Sequence, residues 1–312
     1  MLVDALTFLV SLVVLLFAAQ HFTKAAERVG HWMGLSPFVV GVFIVGIGTS
    51  LPESISAILA VHAGASEIVG GNVMGANISN LLLITGIAAL LSRPEVKLGS
   101  RYIMIDMHYL LGAFFLFAVV AHNGSITWVE GLFGVLAYGV YSVYLIRNGG
   151  DEFKEVHAGP KARKPAPARD LVILLIAAVA IFFGADRTVA SITHLAEAAN
   201  ISPALIALTV LSLGTTLPEL AVNVSAIRSG RSEMAVGNVL GSCVFNSLMV
   251  PSIASFVGPV HVPDALITFS LPVMLGAGLF FYLLTNDKRI SRWEGWLFVI
   301  LYALFIVQLT FA

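Results

Sequence analysis

Residues 48–53 read Gly48-Thr49-Ser50-Leu51-Pro52-Glu53, and residues 214–219 read Gly214-Thr215-Thr216-Leu217-Pro218-Glu219. The two stretches lie 166 residues apart, and the offset holds without a gap from Ser36/Ser202 to Asn80/Asn246. A second matched pair follows each, Gly71-Asn72-Val73-Met74-Gly75 and Gly237-Asn238-Val239-Leu240-Gly241. Each copy sets a proline and a glutamate inside strongly apolar sequence. An acid in such surroundings is expensive to hold in lipid and marks a functional position. Two of them, in matching places, point to one shared cation site.

Composition sets the class. The 312 residues are 58% hydrophobic and 11% charged, where a soluble domain carries about a quarter charged residues. Mean hydropathy is +0.93. The apolar runs are too long for core helices, so the chain reads as an integral membrane protein whose partner is the lipid bilayer. A net charge of −1 and no basic patch give no reason to expect nucleic acid. The single cysteine, Cys243, excludes an internal disulfide. The first apolar run, residues 5–22, follows Asp4 rather than a basic segment and reads as a retained span, not a signal peptide.

Ten apolar segments can be marked, at about 3–22, 36–61, 67–91, 103–121, 126–146, 170–192, 202–227, 234–257, 265–285 and 292–311. Helix is expected for each, because backbone in lipid must satisfy its own hydrogen bonds. Lysine and arginine test the division. Sixteen of the seventeen fall in the loops after spans 1, 3, 5, 7 and 9, and the remaining one is Arg187 in span 6. The positive-inside rule then puts those loops in the cytoplasm and both termini outside, in a plasma membrane. Span 6 begins the second copy, and five spans is an odd number. The second half therefore enters the membrane upside down, as in secondary transporters. The expected fold class is all-α integral membrane: ten transmembrane helices as two inverted five-helix repeats, 1–146 and 170–312. The polar, Pro-rich segment 147–169 joins them as a cytoplasmic linker, and helices 2, 3, 7 and 8 form the ion-binding core.

Motif chemistry suits a hard cation. Thr49 and Glu53 are four residues apart and share a helix face, as do Thr215 and Glu219. Pro52 and Pro218 lack an amide hydrogen and crowd the carbonyls of Gly48 and Gly214, so a break or kink is expected at each. Irregular backbone at membrane depth is tolerated where it lines a cavity. Carboxylates, hydroxyls and freed carbonyls together are ligands for Ca2+ or Na+. On the facing spans, Asn72, Ala76 and Asn80 line up at intervals of four, and so do Asn238, Ser242 and Asn246. Gly71, Gly75, Gly237 and Gly241 leave room for close helix approach. One Ca2+ would cancel the charge of two glutamates, and an empty site would require at least one proton. That suits an exchanger better than a channel. No intramembrane Ser/His or His/Cys cluster accompanies the acids, so an enzyme is not expected, nor any cofactor beyond transported Ca2+ and Na+.

Other polar residues read more blandly. Asp106 and His108 are expected in a satisfied interfacial role. Asp186 and Arg187, aligned with Gln20 and His21, read as a local ion pair. Glu67 and Glu233 match across the repeat and suit helix N-termini. Cys243 reads as packing.

The paired Gly-Thr-[Ser/Thr]-Leu-Pro-Glu and Gly-Asn-Val-x-Gly motifs resemble the α-repeats of the sodium/calcium exchanger family, within the calcium:cation antiporter superfamily. The resemblance implies alternating access that exchanges Na+ for Ca2+ through four central sites arranged as a diamond. It further implies a Ca2+ site built from the carboxylates of Glu53 and Glu219 and the backbone oxygens of Thr49 and Thr215. Flanking Na+ sites would use Thr49, Ser50 and Ser242 on one side and Thr215 and Thr216 on the other. Carbonyls at Gly46 and Ser212 would join them, with Asn80 and Asn246 lining the centre. Some positions depart from the family pattern. Ala76 stands where a serine is usual, removing a hydroxyl from one Na+ site. Asn246 replaces an aspartate found in the potassium-dependent branch. Met74-Gly75 and Leu240-Gly241 lack the glutamate of the proton-coupled branch. Two alternatives stay open: H+-coupled divalent exchange through the same glutamates, and a passive cation channel.

Overall fold

Apolar runs that must close their own backbone hydrogen bonds become helices, and the chain does so nearly throughout. The computed structural model describes residues 2–92, 95–98, 101–148, 167–198 and 216–311. Ser212, Gly214, Thr215 and linker positions 149–166 lie outside the described residues. Among the described residues, eight helices are long and apolar enough to cross a membrane, with a shorter apolar helix over Asp106–Ala121. The expected span at 202–227 is described only from Thr216 onward.

The first half contains α1 (Leu2–Met33), α2 (Pro37–Val40), a π-turn (Gly41–Gly46) and α3 (Ile47–His62). It continues with α4 (Glu67–Ile78), a second π-turn (Ser79–Ile84), α5 (Thr85–Leu91), α6 (Arg101–Ala121) and α7 (Trp128–Asn148). The second half contains α8 (Ala168–Ala198), α9 (Leu217–Arg228) and α10 (Ser232–Ser255). A π-turn (Leu266–Ser270), α11 (Leu271–Leu284) and α12 (Arg292–Phe311) complete it. Four two-residue strands sit in the loops: β1 (Val96–Lys97), β2 (Ser125–Ile126), β3 (Val260–His261) and β4 (Arg289–Ile290).

Local signals explain the ends. Ser36 caps α2 by accepting the Val39 amide at 3.3 Å, and Pro37 follows in the first turn, where its missing N–H is no loss. Glu67 and Glu233 stand in the first turns of α4 and α10, as the sequence suggested.

Loop contacts sort by parity. Strand β1, after span 3, pairs antiparallel with β4, after span 9. Strand β2, after span 4, pairs with β3, after span 8. A shift of 166 residues carries β1 to within two residues of β3, and β2 to within two of β4. The two small sheets are thus repeat mates. Arg28 pairs with Asp170 at 2.7 Å and Arg231 with Glu27, both joining odd-numbered loops. The Ser66 hydroxyl accepts the His261 amide, and His194 lies 3.4 Å from Asp4, both on the face of the N-terminus. These contacts define two faces, a termini face and a linker face.

Helix α10 is the hub. It packs on α2, the first π-turn, α3, α4, α6, α7 and α9, and 94% of its span is buried. A Cβ on Gly237 would be driven into the Phe38 carbonyl, and one on Gly241 would lie 2.6 Å from the Val42 Cα. The close approach expected there is present. Gly75 has open space around it and Gly71 only ordinary contact at 3.5 Å. Position 208, the repeat mate of Val42, lies outside the described residues. A large apolar core surrounds α10. A separate one joins α1, α8 and the near side of α9.

Candidate cation-binding site

The site forms where α3 and α9 meet α10 and the second π-turn. Thr49 and Glu53 are 3% and 4% exposed, so the shared helix face is buried. The expected break at Pro52 is absent. Helix α3 is continuous from Ile47 to His62, and the irregularity lies just before it, in the π-turn. An extra residue per turn there exposes carbonyls without ending the helix. The Gly46 carbonyl accepts the Thr49 hydroxyl at 3.3 Å and the Ser242 hydroxyl at 3.4 Å. In the second copy α9 begins at Leu217, so Pro218 sits in the first turn at no hydrogen-bond cost.

Four groups converge on one flank. The Asn238 side-chain oxygen accepts from Thr49 at 3.3 Å and from Ser242 at 3.5 Å. With the Gly46 carbonyl, these make a nest of oxygens held by long hydrogen bonds. Bonds at the limit of range are weak, so little is lost when such oxygens turn toward a cation. Ser50, 0% exposed, lies beside them with its hydroxyl unpartnered.

The centre holds the acids. Glu219 is 1% exposed, and neither of its carboxyl oxygens has a hydrogen-bond partner. Glu53 keeps one oxygen unpartnered as well. Both acids are buried where α3 and α9 pack against one another. Asn80 and Asn246 are each 1% exposed, and both ends of each amide are unpartnered. Buried polar groups are normally bonded. This cluster of exceptions has the donor set of a hard cation: carboxylates, amide oxygens, hydroxyls and a carbonyl. Among the described residues no group of three or more His, Cys, Asp or Glu could hold a soft metal instead.

Among the described residues the repeat-related flank presents fewer oxygens. Ala76, mate of Ser242, is buried and contributes no oxygen, while Asn72, mate of Asn238, turns to a cavity. Thr216 is 2% exposed, and Ser212, Gly214 and Thr215 fall outside the described residues. Gly48 lies in α3 against Phe22.

Sequence reading missed three features. Asn77 donates to Ser247 at 2.8 Å and ties α4 to α10; its repeat mate is Cys243, a position the reading left to packing. Asp106, expected to be satisfied, is 0% exposed and neither of its carboxyl oxygens has a hydrogen-bond partner. Its burial comes from α6 packing on α10 and α11, which distance along the chain does not reveal. Third, a cavity of about 310 Å³ between α3, α4 and α8 reaches from Asp186 to Glu53.

Known proteins share this design. The family described as sodium/calcium exchanger protein matches residues 3–147 and 170–311. The sodium/calcium exchanger MaX1 of Methanosarcina acetivorans is 31% identical, with 98% of each chain covered. The inner membrane protein YrbG of Escherichia coli is 27% identical over 91% of this chain and 89% of its own. A solved structure of the sodium-calcium exchanger NCX_Mj, soaked with zero Na+ and Ca2+, is 26% identical. It superposes with a TM-score of 0.84 over 98% of this chain and 99% of that one. With motifs, fold and buried oxygen cluster in agreement, the chain is a multi-pass membrane protein that belongs to the sodium/calcium exchanger family and works by cation antiport.

Proposed function

We propose that the protein exchanges Ca2+ for Na+, with Glu53 and Glu219 jointly holding the Ca2+. The observation that carries this reading is the pair of buried carboxylates with unpartnered oxygens on two helices in contact. Two buried negative charges are costly unless neutralised, and a single Ca2+ neutralises both. The Gly46, Thr49, Asn238 and Ser242 oxygens then suit Na+, which needs fewer charged ligands. Occupancy of the centre by either ion, never by neither, makes the loaded protein the form that switches between faces. Asn80 and Asn246 complete the cage. In this reading the termini face is extracellular, the linker face cytoplasmic and the membrane the plasma membrane. The inside charge of the odd-numbered loops supports that orientation.

The test is 45Ca2+ uptake into Na+-loaded proteoliposomes. Uptake that follows the Na+ gradient is expected. Uptake driven by a pH gradient in the absence of Na+ would move the assignment to H+ coupling. Ca2+ flux with no counter-ion would mean a channel.

A further inference from the structure

We propose that Asp186 is a cation-recruiting subsite at the mouth of the cavity that reaches Glu53, and that its repeat mate toward the opposite face, Gln20, supplies no such charge. This rests on the exchange reading and specifies how ions reach that site.

Depth is the first argument. Asp186 stands six residues before the end of the apolar run 170–192, about 9 Å in along the helix at 1.5 Å per residue. A carboxylate facing acyl chains there would be expensive, and such groups turn to water-filled cavities. Asp186 lines a cavity with Ser56, Asn72 and Glu53, whose other walls are apolar, Ile68, Phe182 and Val189 among them. At its far end is the unpartnered, buried carboxyl oxygen of Glu53. Four polar side chains, one an exposed acid and one a buried acid, thus share a single cavity.

The second argument is that Asp186 is not consumed by structure. Its recorded ion pair is with the adjacent Arg187, at 3.6 Å, and the two side chains are 56% and 66% exposed. Pairs so exposed contribute little. The carboxylate remains available to concentrate cations in a low-dielectric cleft, where one sign of charge focuses the field.

Asymmetry is the third. The repeat offset places Gln20 at the position equivalent to Asp186. Inversion puts Gln20 toward the linker face of α1, and there the side chain is neutral. Ions arriving from the termini face meet an acid before Glu53. Those arriving from the other face meet none at the matching point.

The experiment is Na+-gradient-driven 45Ca2+ transport in right-side-out and inverted membrane vesicles, at about 0.01 M and about 1 M choline chloride, where screening lengths are about 30 Å and 3 Å. At low ionic strength Asp186→Asn should raise the half-saturating Ca2+ on the termini face about fivefold. The effect should lie in half-saturation rather than maximal rate, and should shrink toward nothing at high salt. Arg187→Gln, which removes the opposing charge, should lower the same constant. Gln20→Asp should lower half-saturation on the linker face alone. The proposal is overturned if wild-type vesicles exchange normally and Asp186→Asn and Arg187→Gln leave half-saturation unmoved, or if the shifts ignore salt. Vesicles of the wild type that show no gradient-driven Ca2+ transport would instead overturn the exchange reading, and this subsite with it.

Discussion

Glu53 sits in mid-helix, whereas Glu219 sits in the first turn of α9, although the motifs around them differ at one position in six. In the first copy a π-turn precedes a continuous helix that carries Pro52 within it. In the second the helix starts at the motif. Glu219 therefore lies at the positive end of a helix dipole, and Glu53 does not. Access differs too, since Glu53 lines the cavity that opens toward the termini face while Glu219 is sealed. The difference teaches that the described parts of two nearly identical motifs can sit differently in their helices, Ser50 within α3 and its mate Thr216 just before α9. Exchanging those placements between halves is what alternating access by an inverted repeat requires.

If the halves contribute equally to one Ca2+ site, either acid should be indispensable. Glu53→Gln and Glu219→Gln should each cut Na+-driven 45Ca2+ uptake by about a hundredfold or more, since losing one of two buried charged ligands costs several kcal/mol. A variant of either kind that keeps a tenth of wild-type flux would break the equivalence of the copies. Packing around the acids should, in contrast, be unequal. Gly237→Ala meets the Phe38 backbone and should lower stability by about 3 kcal/mol. Gly71→Ala, whose added Cβ meets only a Leu266 methyl at 3.5 Å, should be neutral or stabilising by up to about 1 kcal/mol, because alanine is the better helix former. Thermal unfolding in detergent, compared side by side, decides this.

Na+ handling should divide in the same way. Ser242→Ala removes a hydroxyl from the well-furnished flank and should weaken Na+ competition against Ca2+ about fivefold. Ala76→Ser adds the missing hydroxyl to the poorer flank and should strengthen competition two- to threefold, about half a kcal/mol. Na+ inhibition of Ca2+ binding measures both, and equal shifts of one sign would show that the flanks are not distinct.

The motif pair and its offset were enough to place the all-α membrane class, the buried acids and the parity of the loop contacts, because all follow from hydropathy, charge and repetition. Backbone detail was not legible in the same way. Proline chemistry led to an expected break at Pro52, but a π-turn upstream absorbed the irregularity, and nothing in the residues 41–46 announces one. Asp106, near a span end, was expected to find partners, and neither carboxyl oxygen has one. Its burial is a tertiary fact, set by α10 and α11. Asp186 likewise read as half of a local ion pair, which it is. That it also faces Glu53 across a cavity depends on how α8 crosses α3 and α4.

The central claim, that both acids grip one ion, is tested most directly by calorimetric Ca2+ titration of the wild type, Glu53→Gln, Glu219→Gln and the double variant. The account predicts one Ca2+ per chain in the wild type, loss of that binding in either single variant, and no additional loss in the double. Two separable Ca2+ events, each abolished by only one substitution, or losses that simply add, would contradict it.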